Sequence, residues 1–212
     1  MNPKKIYYET AAGTIIKNLE KRRMEGFYCP DKKGAMELAM SFVKPGMSVS
    51  NGGTMTLEET GFFDRLRERK DITYLDRAAG RTPEEQQAIM HQALLSDIYF
   101  MSTNAITLEG ELVNIDGSGN RLASLIYGPK EVIVVAGMNK VASDIPSAYQ
   151  RVKEIATPPN CIRLNRNTPC AKTGRCGDCL GEESICSQIV ITRRSGIKGR
   201  IKVILTGEEL GY

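Results

Sequence analysis

Four closely spaced cysteines near the end of the chain carry the most specific chemical signal in the sequence. Cys170, Cys176, Cys179 and Cys186 have the spacing C-x5-C-x2-C-x6-C, and the glycines beside the central pair permit a tight turn that directs two thiolates at one ion. Four thiolates satisfy either tetrahedral zinc or a four-iron cluster. The sequence therefore predicts a zinc or iron–sulfur site and does not decide between them, with disulfides or free thiols as the alternative.

Histidine, the other common zinc ligand besides cysteine, is scarce. His91 is the only histidine, which excludes catalytic zinc centres built from two or three imidazoles. His91 lies in an amphipathic helical pattern with no nucleophile signature beside it, so we expect an ordinary helix position. We expect Cys161 to be an alternative thiolate ligand and Cys29 to be a small buried apolar residue.

A first glycine-bearing turn follows the strand-like segment 47–50 and precedes a helical pattern. Backbone N–H groups of Gly52, Gly53 and Thr54 would form a nest for an anion, since the missing Cβ atoms let a ligand approach the backbone. The alternative is a simple tight turn in which Thr54 or Thr56 caps the helix and a glutamate closes a capping box. The two interpretations are compatible.

A second such turn, Asp116-Gly117-Ser118-Gly119-Asn120-Arg121, follows the strand-like segment 111–115. It places donors and a carboxylate at the carboxyl end of a strand, where open α/β sheets bind ligands. We expect Arg121 to pair with a carboxylate or phosphate, and Glu109 or Asp116 to act as base or nucleophile. The alternative is a plain turn with Arg121 solvated. Lys140 adds a cation to the same edge or is an ordinary surface lysine.

The elements that position these turns alternate along the chain. Helical periodicity is found over 3–24, 31–43, 55–66, 82–95, 121–127 and 144–155, and strand-like segments over 26–30, 47–50, 71–76, 98–102, 111–115, 131–136 and 161–164. The run Val132-Ile133-Val134-Val135 is typical of a parallel strand covered on both faces. This pattern predicts an α/β fold with a mostly parallel sheet and helices on both faces.

The last fifty residues depart from that alternation. Residues 165–187 form a Cys-rich loop, and the β-rich stretches 188–194 and 200–206 are expected to pair as antiparallel strands at an edge, with the basic residues on them solvated. No linker divides the chain, so we expect one domain over 1–212 with 165–187 as an insertion within it.

Composition excludes several classes of protein. The chain has 212 residues, a formal net charge of +4, 6% aromatic residues and no tryptophan, and its sequence pI is about 8.7. These values argue against a dedicated nucleic-acid binder. No apolar run approaches the roughly 20 residues of a membrane span, and the first residues lack a secretory signal, so we expect a cytoplasmic protein without membrane contact.

Several stretches together resemble the lactate-utilisation (LUD) domain family. They are Ser50–Glu59, Asn104–Ile115, Asp116–Arg121, 128–140 and Thr168–Cys179, the last resembling a branch with an appended cysteine motif. The resemblance implies a fold that belongs with sugar-phosphate isomerases and coenzyme A transferases. Some members of this family belong to a system that oxidises lactate to pyruvate through iron–sulfur proteins, and many have no established reaction.

The resemblance directs the functional expectation to a small anionic metabolite. A hydroxy acid, an acyl thioester or a sugar phosphate would bind at the carboxyl edge of the sheet, in lactate or organic-acid metabolism. Coenzyme A transferases use a catalytic glutamate, and Glu109 is the position that this suggests here. The alternative is a non-enzymatic accessory or electron-transfer protein that uses the cysteines. A homodimer and a redox protein partner remain open, as does whether the chain is an enzyme.

Overall fold

The computed structural model describes residues 2–212, which form two β-sheets with helices packed around them. The helices are α1 (Pro3–Lys21), α2 (Lys32–Ser41), α3 (Met55–Glu59), α4 (Phe62–Glu68), α5 (Pro83–Ala93), α6 (Asn120–Ile126), α7 (Ile145–Arg151), α8 (Thr157–Arg163) and α9 (Pro169–Thr173). The strands are β1 (Glu25–Cys29), β2 (Ser48–Asn51), β3 (Thr73–Leu75), β4 (Ile98–Met101), β5 (Ala105–Thr107), β6 (Leu112–Asp116), β7 (Glu131–Gly137), β8 (Val141–Ala142), β9 (Gln188–Thr192) and β10 (Ile201–Thr206).

The larger sheet has six strands in the order β1-β10-β7-β4-β2-β3, and all five pairings are parallel. Successive residues of β7 face opposite sides. Val132 and Val134 pack with α1, α5 and α6, while Ile133 and Val135 pack with α2, α3 and α4. Both faces are therefore covered, and the predicted α/β fold with β7 near the centre is confirmed.

The second sheet is smaller and mixed. Its order is β8-β5-β6-β9, in which β6 is antiparallel to both β5 and β9, while β5 and β8 are parallel. Helix α7 covers one face, where Ala148 and Val152 pack on Ala105 and Val113. The sequence indicated a single sheet, since the short strands β5 and β8 carry no pattern of their own.

The predicted antiparallel pairing of 188–194 with 200–206 is wrong. Strand β9 joins the second sheet beside β6, and β10 lies inside the larger sheet between β1 and β7. The apolar residues of β10 explain its place, because Val203, Ile204 and Leu205 are fully buried and need neighbours on both faces.

The sequence predicted that the basic residues on these β-rich stretches are solvated. That prediction is wrong for Arg200. Arg200 is buried, and its guanidinium donates to the carbonyls of Ser124 and Leu125 at the end of α6 and to that of Pro129. The carbonyls of Ser124 and Leu125 lack hydrogen-bond partners within α6, so Arg200 supplies the donors that cap the end of this helix.

Two further segments differ from the sequence prediction. Residues 161–164 belong to α8 or follow it directly and form no strand, because α7 continues through a π-turn at 152–156 into α8, whose prolines occupy its tolerant first turn. The predicted helix 55–66 is split into α3 and α4 at Gly61, which has a φ of 74°.

Helix starts follow the sequence signals closely. The Asp31 side chain accepts from the backbone N–H of Gly34 at 2.8 Å, and Thr82 forms a reciprocal capping box with Glu85. None of the helices within residues 2–212 combines the length and apolar character needed to cross a lipid bilayer.

Candidate functional site

Four strands end at the same polar cleft, which we call the sheet-edge cleft. The residues after the carboxyl ends of β2, β4, β6 and β7 all contribute to its walls, and its volume is about 600 Å³. That volume lies within the range of small-molecule sites. The walls are completed by the end of α8, by residues 182–187 of the Cys-rich segment and by Tyr212.

The structure brings the two glycine-bearing turns together here. Gly53, Thr54, Asp116, Gly117, Asn120, Arg121 and Lys140 line the sheet-edge cleft. Gly52 lies directly beneath, where a Cβ would come within 3.0 Å of the Arg121 side chain and 3.1 Å of the Tyr99 hydroxyl. Gly119 starts α6 with a φ of 82°. Close approach requires glycine at Gly52, and the positive φ favours it at Gly119.

Thr54 caps the helix that follows, as one reading of the first turn expected. Its hydroxyl accepts from the backbone N–H of Leu57 at 3.5 Å, and Thr56 is buried beneath the cleft.

Glu109 is not part of this cleft. It is exposed on the turn between β5 and β6, and its carbonyl accepts a hydrogen bond from Arg22 of α1. Glu111, two residues later, forms the ion pair with the same arginine. The structure therefore does not bring Glu109 together with the two glycine-bearing turns, and its role as base or nucleophile stays a prediction.

Arg121 uses every donor of its guanidinium within the protein. Nε contacts Asp116 at 3.2 Å. One terminal nitrogen donates to the Asn114 side chain at 2.8 Å and to the Ser102 carbonyl at 3.0 Å, and the other to the Asn104 side chain and the Ile115 carbonyl. A guanidinium has five N–H donors, so this geometry supports a positioning role for Arg121, and ligand pairing through it stays a prediction.

The Arg121 network joins the two sheets. One acceptor, the Ser102 carbonyl, follows β4 of the larger sheet. Two others, the Asn114 side chain and the Ile115 carbonyl, lie on β6 of the smaller sheet, so the guanidinium links the ends of these two strands. Burial lowers the pKa of Arg121, and Asp116 opposes this shift. Asp116 also accepts from the backbone N–H of Gly119 at 3.0 Å, so its two oxygens are both engaged, and a role as base stays a prediction.

Lys140 is the most unusual ionisable group of the cleft. Only 4% of it is exposed, and its Nζ donates to the Ser102 hydroxyl at 3.2 Å. No carboxylate within residues 2–212 lies within 4 Å of this amine. Burial, together with the charges of Arg151 and Arg121, lowers the pKa of Lys140 to about 7, against the opposing effect of Glu59. Sequence reasoning placed Lys140 at this edge but did not reveal its burial.

Three cations of the cleft were missed by the sequence analysis. Arg77, Arg163 and Arg166 line its outer part and are exposed. Arg166 pairs with Glu183 at 3.4 Å, whereas Arg77 and Arg163 have no carboxylate within 4 Å in the part of the chain described. Their spacing along the chain gave no signal, because Arg77 lies far from Arg163 and Arg166 in sequence and only the fold brings them to one cleft.

The cysteines surround a second, smaller cavity of about 150 Å³. Cys161, Cys170, Cys176, Cys179 and Cys186 all line it. Burial raises the pKa of Cys161 to about 11 and also raises that of Cys186. Within residues 2–212 no three cysteine, histidine or carboxylate side chains are close enough to ligate one metal ion. The predicted zinc or iron–sulfur site therefore stays a prediction. Cys29, in contrast, is buried beside α2, as expected.

The two cavities share a wall. Ile115, Thr157, Ser184 and Ile185 line both of them. The Cys-rich segment thus forms one side of the sheet-edge cleft, and it is not a separate appendage.

A mostly parallel sheet covered by helices on both faces, with a polar cleft at the carboxyl ends of its strands, defines an open α/β fold. The LUD domain family matches residues 13–206, and the chain belongs to this family. This match does not distinguish the branch with four cysteines from the rest of the family.

Comparison with solved structures gave matches over most of the chain, of which the first below agrees with this fold. A DUF162 family protein from Deinococcus radiodurans has a TM-score of 0.51 and 11% identity, with 94% of this chain and 98% of that chain covered. Ribose 5-phosphate isomerase A from Methanocaldococcus jannaschii has a TM-score of 0.35 and 19% identity, with 76% of each chain covered. A comparison with curated proteins gave no match.

Proposed function

We propose that the sheet-edge cleft binds a small anionic metabolite, a hydroxy acid, an acyl thioester or a sugar phosphate, in lactate or organic-acid metabolism. The observation that supports this most is the charge of its walls. Five basic and two acidic side chains line the cleft. Neither acidic side chain pairs with the outer cations Arg77 and Arg163, which have no carboxylate partner among the described residues. Membership of the LUD domain family is consistent with this proposal.

The arrangement provides two kinds of contact for an anion. Arg77 lies on the side of the first glycine turn, where its Nη2 is 3.6 Å from the position of a Cβ on Gly53. Arg163 lies on α8 across the cleft and is held only by the side chain of Asn160, at 2.7 Å. A carboxylate or phosphate between them would accept charge-assisted hydrogen bonds, and the polar side chains of Thr54 and Asn120 would orient the rest of the molecule.

Replacement of either outer arginine is expected to weaken anion binding. The variants Arg77→Gln and Arg163→Gln should each raise the dissociation constant about threefold to tenfold, which is less than the usual effect of a charged hydrogen bond because both side chains are exposed. Isothermal titration with L-lactate, acetyl coenzyme A and ribose 5-phosphate measures this.

The matched control is Arg194→Gln, which removes the same charge from an exposed position outside the cleft. It should leave the dissociation constant unchanged. Equal weakening by all three variants would indicate a general charge effect, and no binding of any of the three compounds at millimolar concentration would contradict the proposal.

A second candidate function, supported by the convergence of five cysteines on one cavity, is a zinc or iron–sulfur site. Buried thiols with raised pKa values are poor ligands until a metal ion displaces their protons. The thiols do not surround a common point within the described residues, so metal binding would require segment 170–186 to close around the ion. Such a site would serve structure or electron transfer, because four thiolates leave no open coordination position.

Metal analysis tests this candidate. Protein purified without oxygen should contain iron, with a brown colour, or zinc, without colour, and Cys179→Ser should lose most of it. Cys29→Ser changes a thiol outside the cysteine cavity and should retain the metal content. The absence of both metals from the unmodified protein would refute the candidate.

A further inference from the structure

The amine of Lys140 is buried at the floor of the sheet-edge cleft, and no described residue, 2–212, supplies it with a counter-ion. Buried lysines that serve structure alone are paired with carboxylates, because an unpaired ammonium is costly to remove from water. Lys140 has one hydrogen-bond partner within residues 2–212, the Ser102 hydroxyl, for three possible donors. This arrangement suits a neutral amine better than a cation.

The groups around the amine reinforce this state. Arg151 and Arg121 both repel a positive charge on Lys140, and Glu59 is the one acidic group that favours it. Arg151 itself is held away from the amine by the carbonyls of Asn139 and Asn104, at 2.9 and 2.6 Å. With a pKa of about 7, about half of the Lys140 amine is neutral at pH 7.

The amine borders the cleft. Lys140 and its partner Ser102 both line the sheet-edge cleft, whose volume is about 600 Å³. The backbone of Gly211 passes close to the amine on another side, since a Cβ there would lie 3.3 Å from the Nζ of Lys140. The Ser102 hydroxyl, which accepts from the amine, is itself contacted by the Thr56 hydroxyl at 3.2 Å. This pair of hydroxyls provides a short path for a proton at the cleft floor.

We propose that Lys140 is a nucleophile that forms an imine with the aldehyde or keto group of an anionic compound bound in the sheet-edge cleft. This inference rests on the proposed function, because the outer arginines would hold the anionic group while the carbonyl reaches the floor. Among small anionic metabolites it selects those with an aldehyde or keto group, namely oxo acids and open-chain sugar phosphates.

The reaction is balanced without a further reagent. The Nζ lone pair adds to the carbonyl carbon, the π electrons move to the oxygen, and a proton passes from Nζ to that oxygen through the Ser102 hydroxyl to give a carbinolamine. Loss of the new hydroxyl group with one proton releases water and leaves a carbon–nitrogen double bond. No electrons are gained or lost overall.

Reductive trapping tests the proposal with glyoxylate, the smallest aldehyde that carries a carboxylate. Sodium cyanoborohydride at pH 7 converts each imine to a stable carboxymethyl group, and peptide mass spectrometry gives the rate at each lysine. Lys140 should react at least tenfold faster than the exposed Lys33 and Lys198, since about half of its amine is unprotonated at this pH. A rate equal to or below theirs would overturn the proposal.

Formaldehyde, a neutral aldehyde, is the matched probe. If Lys140 reacts selectively with both aldehydes and Arg77→Gln slows only the glyoxylate reaction, the imine and the anionic class are both supported. Selective reaction with formaldehyde alone would overturn the anionic class. If the titrations show that anions bind and Lys140 reacts with neither aldehyde, the proposed function stands and the inference about Lys140 falls.

The Lys140→Arg variant completes the test. It retains a cation at the floor of the cleft but has no nucleophilic amine, so the adduct at this position should vanish while labelling of Lys33 and Lys198 is unchanged. If the total adduct on the protein remained the same, the original label would have been misassigned and the proposal refuted.

Discussion

The Arg121→Ala variant is expected to lose about 3–5 kcal/mol of unfolding free energy, the usual cost of removing one partner of a buried charged network. The substitution leaves the Asp116 carboxylate without its cation and removes the donors for two backbone carbonyls, those of Ser102 and Ile115. Each of these acceptors is partly or fully shielded from water. Urea denaturation followed by circular dichroism measures the change.

Two further variants separate hydrogen bonding from charge. Arg121→Lys retains the charge but has three donors where the guanidinium has five, so it should still lose about 2 kcal/mol. Arg163→Ala removes an exposed arginine from the same cleft and should change stability by less than about 0.5 kcal/mol. If Arg121→Ala folded with nearly full stability and instead lost affinity for anions, Arg121 would be a ligand-binding residue, as its position in the sequence suggested.

The fold could be predicted from the sequence where local pattern and burial agree. The apolar run of β7 and the capping box at Thr82 and Glu85 each indicate one structure, and both are found. The patterns at Cys161 and in 188–206 were ambiguous because a short apolar or β-branched run fits several partners. Tertiary contacts determine the partner of each strand. The largely buried β10 pairs with β1 and β7, whereas β9 pairs with β6.

The candidate site was predictable in its backbone and less so in its charges. Glycines mark the two turns directly, because close packing at Gly52 and a positive φ at Gly119 require or favour them. The sequence gives the position of a charged residue but not its partners. It could not distinguish Arg121, whose guanidinium donors are all engaged, from Arg77, which has no carboxylate partner among the described residues. Glu109 illustrates the same limit, since it lies on the turn between β5 and β6 and does not line the cleft.

The Lys140→Met variant is expected to be more stable than the unmodified protein at pH 7. Methionine fills a similar volume without an amine, so the variant avoids the cost of holding Lys140 at a pKa of about 7 when its value in the unfolded chain is near 10.5. A shift of that size corresponds to a gain on the order of 4 kcal/mol, as an upper limit.

The pH dependence of this gain follows from the protons bound in each state. Between pH 7 and 10.5 the unfolded chain keeps the proton on Lys140 and the folded protein has released it, so the unfolding free energy of the unmodified protein rises with pH through this window. The cost is fully present below about pH 7 and disappears above 10.5. The advantage of Lys140→Met should therefore be largest at pH 7 and shrink steadily towards pH 9.5.

Urea denaturation at pH 7, 8 and 9.5 measures this trend, with Lys198→Met as the control for removal of an exposed lysine. The control should differ little from the unmodified protein at each pH. A constant difference for Lys140→Met across the three values would mean that folding does not shift the pKa of the amine, and a loss of stability would mean that the ammonium makes favourable interactions in the fold. A gain that fades with rising pH would show that the fold keeps a costly amine at the cleft, where selection for stability alone would favour an apolar side chain.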